Sequence, residues 1–103
     1  MLRNPQISWQ ALESLCRSMG RMLEAGVDIR KSIRTSGRQS SDNRLPGELE
    51  QISQRVASGR TLSEAFEMSV PFFPPLFIDF VNMGEQSGNL PEVFHSLAKY
   101  YDS

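Results

Sequence analysis

With 103 residues, the chain can build one core and one domain, burying about two thirds of its unfolded surface. Hydrophobic residues make up 39% and charged residues 22%, a balance that excludes intrinsic disorder. The net charge is −1, and neither half of the chain is basic enough to suggest nucleic-acid binding, which needs a clustered, strongly basic face. The only cysteine, Cys16, rules out both a disulfide framework and a thiolate metal cluster.

Residues 1–8 read as an N-terminal extension, because Met1-Leu2-Arg3-Asn4-Pro5 leads into no apolar run of the signal-peptide kind. Nowhere does the chain approach the ~20 apolar residues that a membrane span needs. The longest candidate, 70–83, is interrupted by three prolines and Asp79, so the chain reads as soluble.

The first helix is predicted over 8–25, where Trp9, Leu12, Leu15, Cys16, Met19, Met22 and Leu23 step by three and four along one face. Gly26 suits its left-handed cap and Asp28 can open the next helix, 28–40. That second helix has only Ile29 and Ile33 as its apolar face, and Gly37 costs it about 1 kcal/mol relative to alanine. The polar run Ser40-Ser41-Asp42-Asn43 reads as a mobile loop. A third helix, 44–58, presents Leu45, Leu49, Ile52 and Val56. Gly59 then ends it and Thr61, with Glu64 three residues on, forms a capping box for a fourth helix, 61–69. Pro71, Pro74 and Pro75 fix the turn into a fifth helix, 74–86. Gly88 is followed by a second expected box, Asn89 with Glu92, opening the sixth helix, 89–102. Pro91 falls in the first turn, where no intrahelical bond is lost.

No segment alternates with period two, so the fold is all-α. Connections this short turn successive helices back on each other. The expectation is a compact six-helix antiparallel bundle built from three helix–Gly–helix pairs, one domain over 9–102. Charge is divided along it: residues 1–44 hold 8 Lys/Arg against 4 Asp/Glu, and residues 45–103 hold 3 against 8.

Catalytic groupings fail on counting. Glu92 and His95 have the Glu-x-x-His spacing of di-iron bundles, but those need two such pairs and this chain has one histidine. Cys16 lies on the core stripe, whereas a nucleophilic thiol needs an exposed electropositive site. Gly84-Glu85-Gln86-Ser87-Gly88 carries an acid where a phosphate loop has a lysine. These residues imply no catalytic site, no cofactor and no metal cluster. Two contact surfaces are left. Arg30, Arg34 and Arg38, with Lys31, form a basic row that is either a solvated face or a reader of carboxylates and phosphates. Phe72, Phe73, Phe77 and Phe80 are either core or, where exposed, a hydrophobic docking patch, with Phe72 and Phe77 the candidates for it.

Taken together, these segments resemble the repeated cytosolic domain of the F-type platform proteins of type II secretion and type IV pilus assembly. Met22-Leu23-Glu24-Ala25-Gly26-Val27 is similar to that family's first-helix stop, and Val56-Ala57-Ser58-Gly59-Arg60-Thr61-Leu62-Ser63-Glu64 to its middle segment. Phe73-Pro74-Pro75-Leu76 followed by Gly84-Glu85-Gln86-Ser87-Gly88-Asn89-Leu90 resembles its Phe-Pro entry and Gly-Glu-x-Ser-Gly-x-Leu signature. Ala98-Lys99-Tyr100-Tyr101 is similar to its closing turn.

The resemblance implies a six-helix bundle with a scaffolding role on the cytosolic face of a bacterial inner membrane. It implies the assembly ATPase and other inner-membrane components as partners, self-association, and attachment to the membrane only through segments this chain lacks. Such proteins carry two copies of the domain and about three membrane helices, so an excised first domain is the expectation over a short complete protein. Glu85, inside the signature, is read as a structural acid near exposed backbone N–H groups; the other reading is a hard-cation ligand at an interface. A regulatory interaction module unrelated to secretion is the competing function.

Overall fold

The computed structural model describes residues 4–102, and among them there are six helices and no strand. In chain order these are α1 (Trp9–Glu24), α2 (Ile29–Arg38), α3 (Leu45–Ala57), α4 (Leu62–Glu67), α5 (Pro75–Ser87) and α6 (Leu90–Tyr101). Each begins one residue later than its sequence pattern suggests, because the capping residue stands outside the helix. Ser8 caps α1 by accepting from the Ala11 N–H at 3.1 Å, and Asp28 caps α2 by accepting from the Lys31 N–H at 3.1 Å.

Each helix packs on its sequence neighbours, and the ring closes through α6 on α1, the most extensive contact in the molecule. Close approach explains that closure. A β-carbon placed on Gly20 of α1 would lie 2.8 Å from Nδ1 of His95 on α6. Gly37, a liability for an isolated helix, has the same use: its missing side chain lets Leu49 of α3 come within 3.1 Å of the β-carbon position.

Phe66, Phe73, Phe77 and Phe94 fill the centre with side chains out of contact with water. Phe66 meets Phe73 and Phe77 edge-on, with ring centroids 4.7 and 4.9 Å apart, the arrangement that the ring quadrupole favours. Phe72 is 5% exposed and Phe77 0%, which corrects their reading as a docking patch. The proline turn points them into the core, where no partner reaches them.

Three other readings are corrected or extended. Asn89 makes no side-chain cap to α6; its amide oxygen is taken by the Ser87 hydroxyl instead, so the second capping box does not form. Ile7, which falls in the N-terminal extension, is 4% exposed and donates its N–H to the Phe72 carbonyl at 2.9 Å. The packed unit therefore starts before residue 9. The polar run at 40–43 is tied rather than loose. Asp42 is buried and accepts from the Arg44 side chain at 2.7 and 3.0 Å. Arg44 also donates to the carbonyls of Asn4 and Gln6 at 2.6 and 3.4 Å and lies 5.0 Å over the Phe72 ring.

No helix among the described residues is long and apolar enough to cross a membrane.

Candidate functional site

The three glycine turns gather at one end of the bundle. Gly26, Gly59 and Gly88 all have positive φ, at 83°, 106° and 71°. Gly88 shows why the residue matters. Its left-handed backbone lets its own N–H and that of Asn89 return to the Gly84 carbonyl, the latter at 3.0 Å. That closes the C-terminus of α5 and starts α6 two residues later.

Between the turns lies an open cleft of about 480 Å³. The first turn contributes Leu23 and Ile29. From the second come Val56, Arg60, Thr61 and Leu62. The third supplies Gly84, Glu85, Gly88, Leu90 and Pro91. Segments that stand more than sixty residues apart in the chain thus share one concave, mainly apolar surface, and Thr61, Gly84, Glu85, Gly88 and Leu90, singled out by pattern, line it.

Glu85 joins two of the turns. Its carboxylate accepts the Leu62 N–H at 2.6 Å and the Ser63 N–H at 2.9 Å. Thr61 accepts the Glu64 N–H at 3.1 Å, and Glu64 accepts the Thr61 N–H at 2.9 Å. Between them the two acids and the threonine satisfy every backbone donor that the start of α4 leaves open. The bonds from Thr61 hold the Glu64 carboxyl below the ordinary carboxylate range, with Arg60 adding to the effect. Glu85, expected near exposed backbone N–H groups, meets N–H groups that lack an intrahelical partner. These belong to the start of α4, are not exposed and are not in its own turn. One sequence signal pointed that way: an acid in the last turn of a helix opposes the helix dipole unless something positive faces it.

The basic row divides. Arg30 turns onto α3 and donates from Nε to the Ser53 carbonyl at 3.2 Å and hydroxyl at 3.1 Å. Arg34 joins the same hydroxyl at 3.1 Å. Only Lys31 and Arg38 are exposed, so the four residues do not make one free cationic face. The buried hydroxyl and carbonyl of Ser53 need donors, and the two inner arginines supply them.

Phe73 is core, and Pro74 is the extended residue that leads into α5. His95 lies over Gly20, half-buried, with Nε2 3.2 Å from a Glu24 carboxylate oxygen. Cys16 is sealed in the core, and burial pushes its thiol well above the ordinary range; a buried, protonated thiol is a poor nucleophile. No group of three His, Cys, Asp or Glu gathers as metal ligands among the described residues. Sequence reasoning missed Arg44 and Arg55. Arg55 spans from α3 to the Ala65 carbonyl at 2.9 Å and the Ser69 hydroxyl at 2.7 Å.

Comparison with known proteins matches residues 15–103 to the family described as type II secretion system (T2SS), protein F. The chain is 29% identical over 92 residues to the type 4 fimbrial assembly protein PilC of Pseudomonas putida, covering 89% of this chain and 23% of that protein. With the type II secretion system protein F of Vibrio cholerae it shares 29% identity over 97 residues, 94% of this chain and 24% of that one. With the type IV pilus assembly protein TapC of Aeromonas hydrophila the identity is 32% over 84 residues, 82% and 20% respectively. The chain thus spans less than a quarter of the length of these relatives.

Proposed function

The chain belongs to the type II secretion system protein F family, and from that premise we propose that it is a non-catalytic scaffold domain of an inner-membrane platform. Its relatives serve type II secretion and type IV pilus assembly. In this reading the domain stands on the cytosolic face and docks the assembly ATPase and other inner-membrane components, passing their motion on through rigid helix contacts. Self-association of the domain belongs to the same proposal.

The observation that carries it is the cleft. The chain spends its most specific residues, from Leu23 to Leu90, on one concave surface and on fixing α4 beside it. The buried thiol and the singly paired histidine supply no nucleophile–base pair. Contact, rather than turnover, is what such a surface serves. Of the expected partner residues, Lys31 and Arg38 remain open to a second protein.

Binding of the purified chain to its cognate assembly ATPase, measured by surface plasmon resonance, tests this. Saturable binding that weakens in the cleft variant Ile29→Trp supports docking through the cleft. Saturable binding that weakens only in Lys31→Glu/Arg38→Glu moves the contact to α2. Absence of saturable binding by the chain overturns the ATPase reading.

A further inference from the structure

The cleft has a chemical character that narrows what fits it. Its walls at Leu23, Ile29, Leu62 and Leu90 are apolar, and a half-buried carboxylate, Glu85, stands among them. A carboxylate offers about four acceptor sites, and two are used by the N–H groups of Leu62 and Ser63. Among the described residues no lysine or arginine pairs with it.

Arg60, which is exposed, also lines the cleft, and among the described residues no ion pair joins it to Glu85. The carboxylate among the residues that line the cleft is Glu85. An anionic occupant would meet like charge. A purely apolar one would strip water from Glu85 without giving it a partner, which is costly. A long cationic side chain avoids both penalties, since its hydrocarbon stem covers apolar surface while its head seeks a carboxylate.

We propose that the cleft receives a lysine or arginine side chain of a partner protein, its stem against Leu23, Ile29, Leu62 and Leu90 and its head on the Glu85 carboxylate. This deepens the reading of the cleft as a contact surface and is independent of which machine the domain serves. Arginine fits best, because its planar fork can reach both carboxylate oxygens from the side that the α4 N–H groups leave open.

Small probes test the chemistry without any partner. The purified chain is titrated with pentylammonium, butylguanidinium, hexanoate and hexanol while the amide resonances of Leu62, Ser63 and Leu90 are followed by NMR. The amides of Leu62 and Ser63 report directly on Glu85. The two cations are expected to move these resonances saturably and to bind at least about tenfold more tightly than hexanol, with hexanoate producing no shift. The preference for cations should shrink as salt is raised.

In Glu85→Gln, which keeps an acceptor toward α4, the cations fall to the level of hexanol. Ile29→Trp narrows the cleft without touching Glu85 and removes the shifts from every probe. The dispersion of each spectrum shows whether the variant is folded. Hexanol binding as well as the cations, hexanoate binding better than they do, or no probe moving these amides would each overturn the proposal. If the probes behave as expected while ATPase binding fails, the cleft chemistry stands and the docking reading falls.

Discussion

The two ends of the bundle are held by different physics. At the turn end, contacts are set by neighbours in sequence: glycine caps, the Thr61–Glu64 box and the Asp28 cap all join residues within five positions. At the opposite end the contacts are long-range. Arg44 reaches Asn4 and Gln6 across 40 and 38 positions, Ile7 bonds to Phe72, and Trp9 meets Tyr101 edge-on at 5.1 Å. Local rules build the end that carries the cleft, and arginine and aromatic contacts close the end that does not. Glu85, bonded to Leu62 and Ser63, and the His95–Glu24 contact are exceptions that place long-range bonds among local ones.

The deepest break lies in the core that both ends share. Phe77→Ala is expected to cost about 3–5 kcal/mol in denaturant unfolding, the range for emptying a buried aromatic site. Loss below about 1 kcal/mol would return Phe77 to a surface role. Arg44→Ala comes next, at about 2 kcal/mol, because it removes bonds to two carbonyls and leaves the buried Asp42 carboxylate short of its main donor. Hydrogen exchange separates the ends: the Ile7 amide should lose protection in this variant while the amides of Leu62 and Ser63 keep theirs. Gly88→Val should cost about 1–2 kcal/mol, since a β-branched residue is strained at φ 71°. Here the loosening should be confined to the turn end, in the reverse of the Arg44 pattern. Unchanged thermal stability would show that the left-handed cap is not what ends α5.

This division also explains what the sequence made readable. All six helices and the three glycine turns follow from periodicity and capping, which are local. The family is recognisable for the same reason, since its signature segments are the turns themselves. Asn89 misled because Ser87, two residues earlier, competes for its side chain, and a pattern of spacing does not weigh one donor against another. The basic row misled because periodicity shows which residues share a face but not what that face meets; Ser53 of α3 decides it. Phe72 and Phe77 could not be assigned between core and patch until the path of the proline turn was known. The clamp at Arg44 and the seat of Glu85 on α4 had no local sign beyond an acid placed against its helix dipole.

The smallest expected effect sets the two ends against each other through pH. At the turn end, the Glu64 carboxyl is held below its usual value of 4.5 by the Thr61 N–H and hydroxyl. The folded state therefore releases that proton more readily than the unfolded chain does. Its stabilisation is present above the ordinary carboxylate range and is lost as pH falls through the lowered value. At the other end, burial pushes the Tyr101 hydroxyl up from 10 to about 12, and that hydroxyl has no hydrogen-bond partner among the described residues. The folded state now keeps a proton that the unfolded chain gives up. Its contribution is complete below pH 10 and drains away as pH rises toward about 12. Urea midpoints measured from pH 3 to pH 11 should thus fall on both flanks, with the acid loss reduced in Glu64→Gln and the alkaline loss reduced in Tyr101→Phe. Tyr101→Phe also removes an unsatisfied buried hydroxyl, so its midpoint at neutral pH should match or exceed that of the native chain. An alkaline flank unchanged in Tyr101→Phe would mean that the aromatic end opens to water before Tyr101 ionises, making it the looser end despite its arginine clamp.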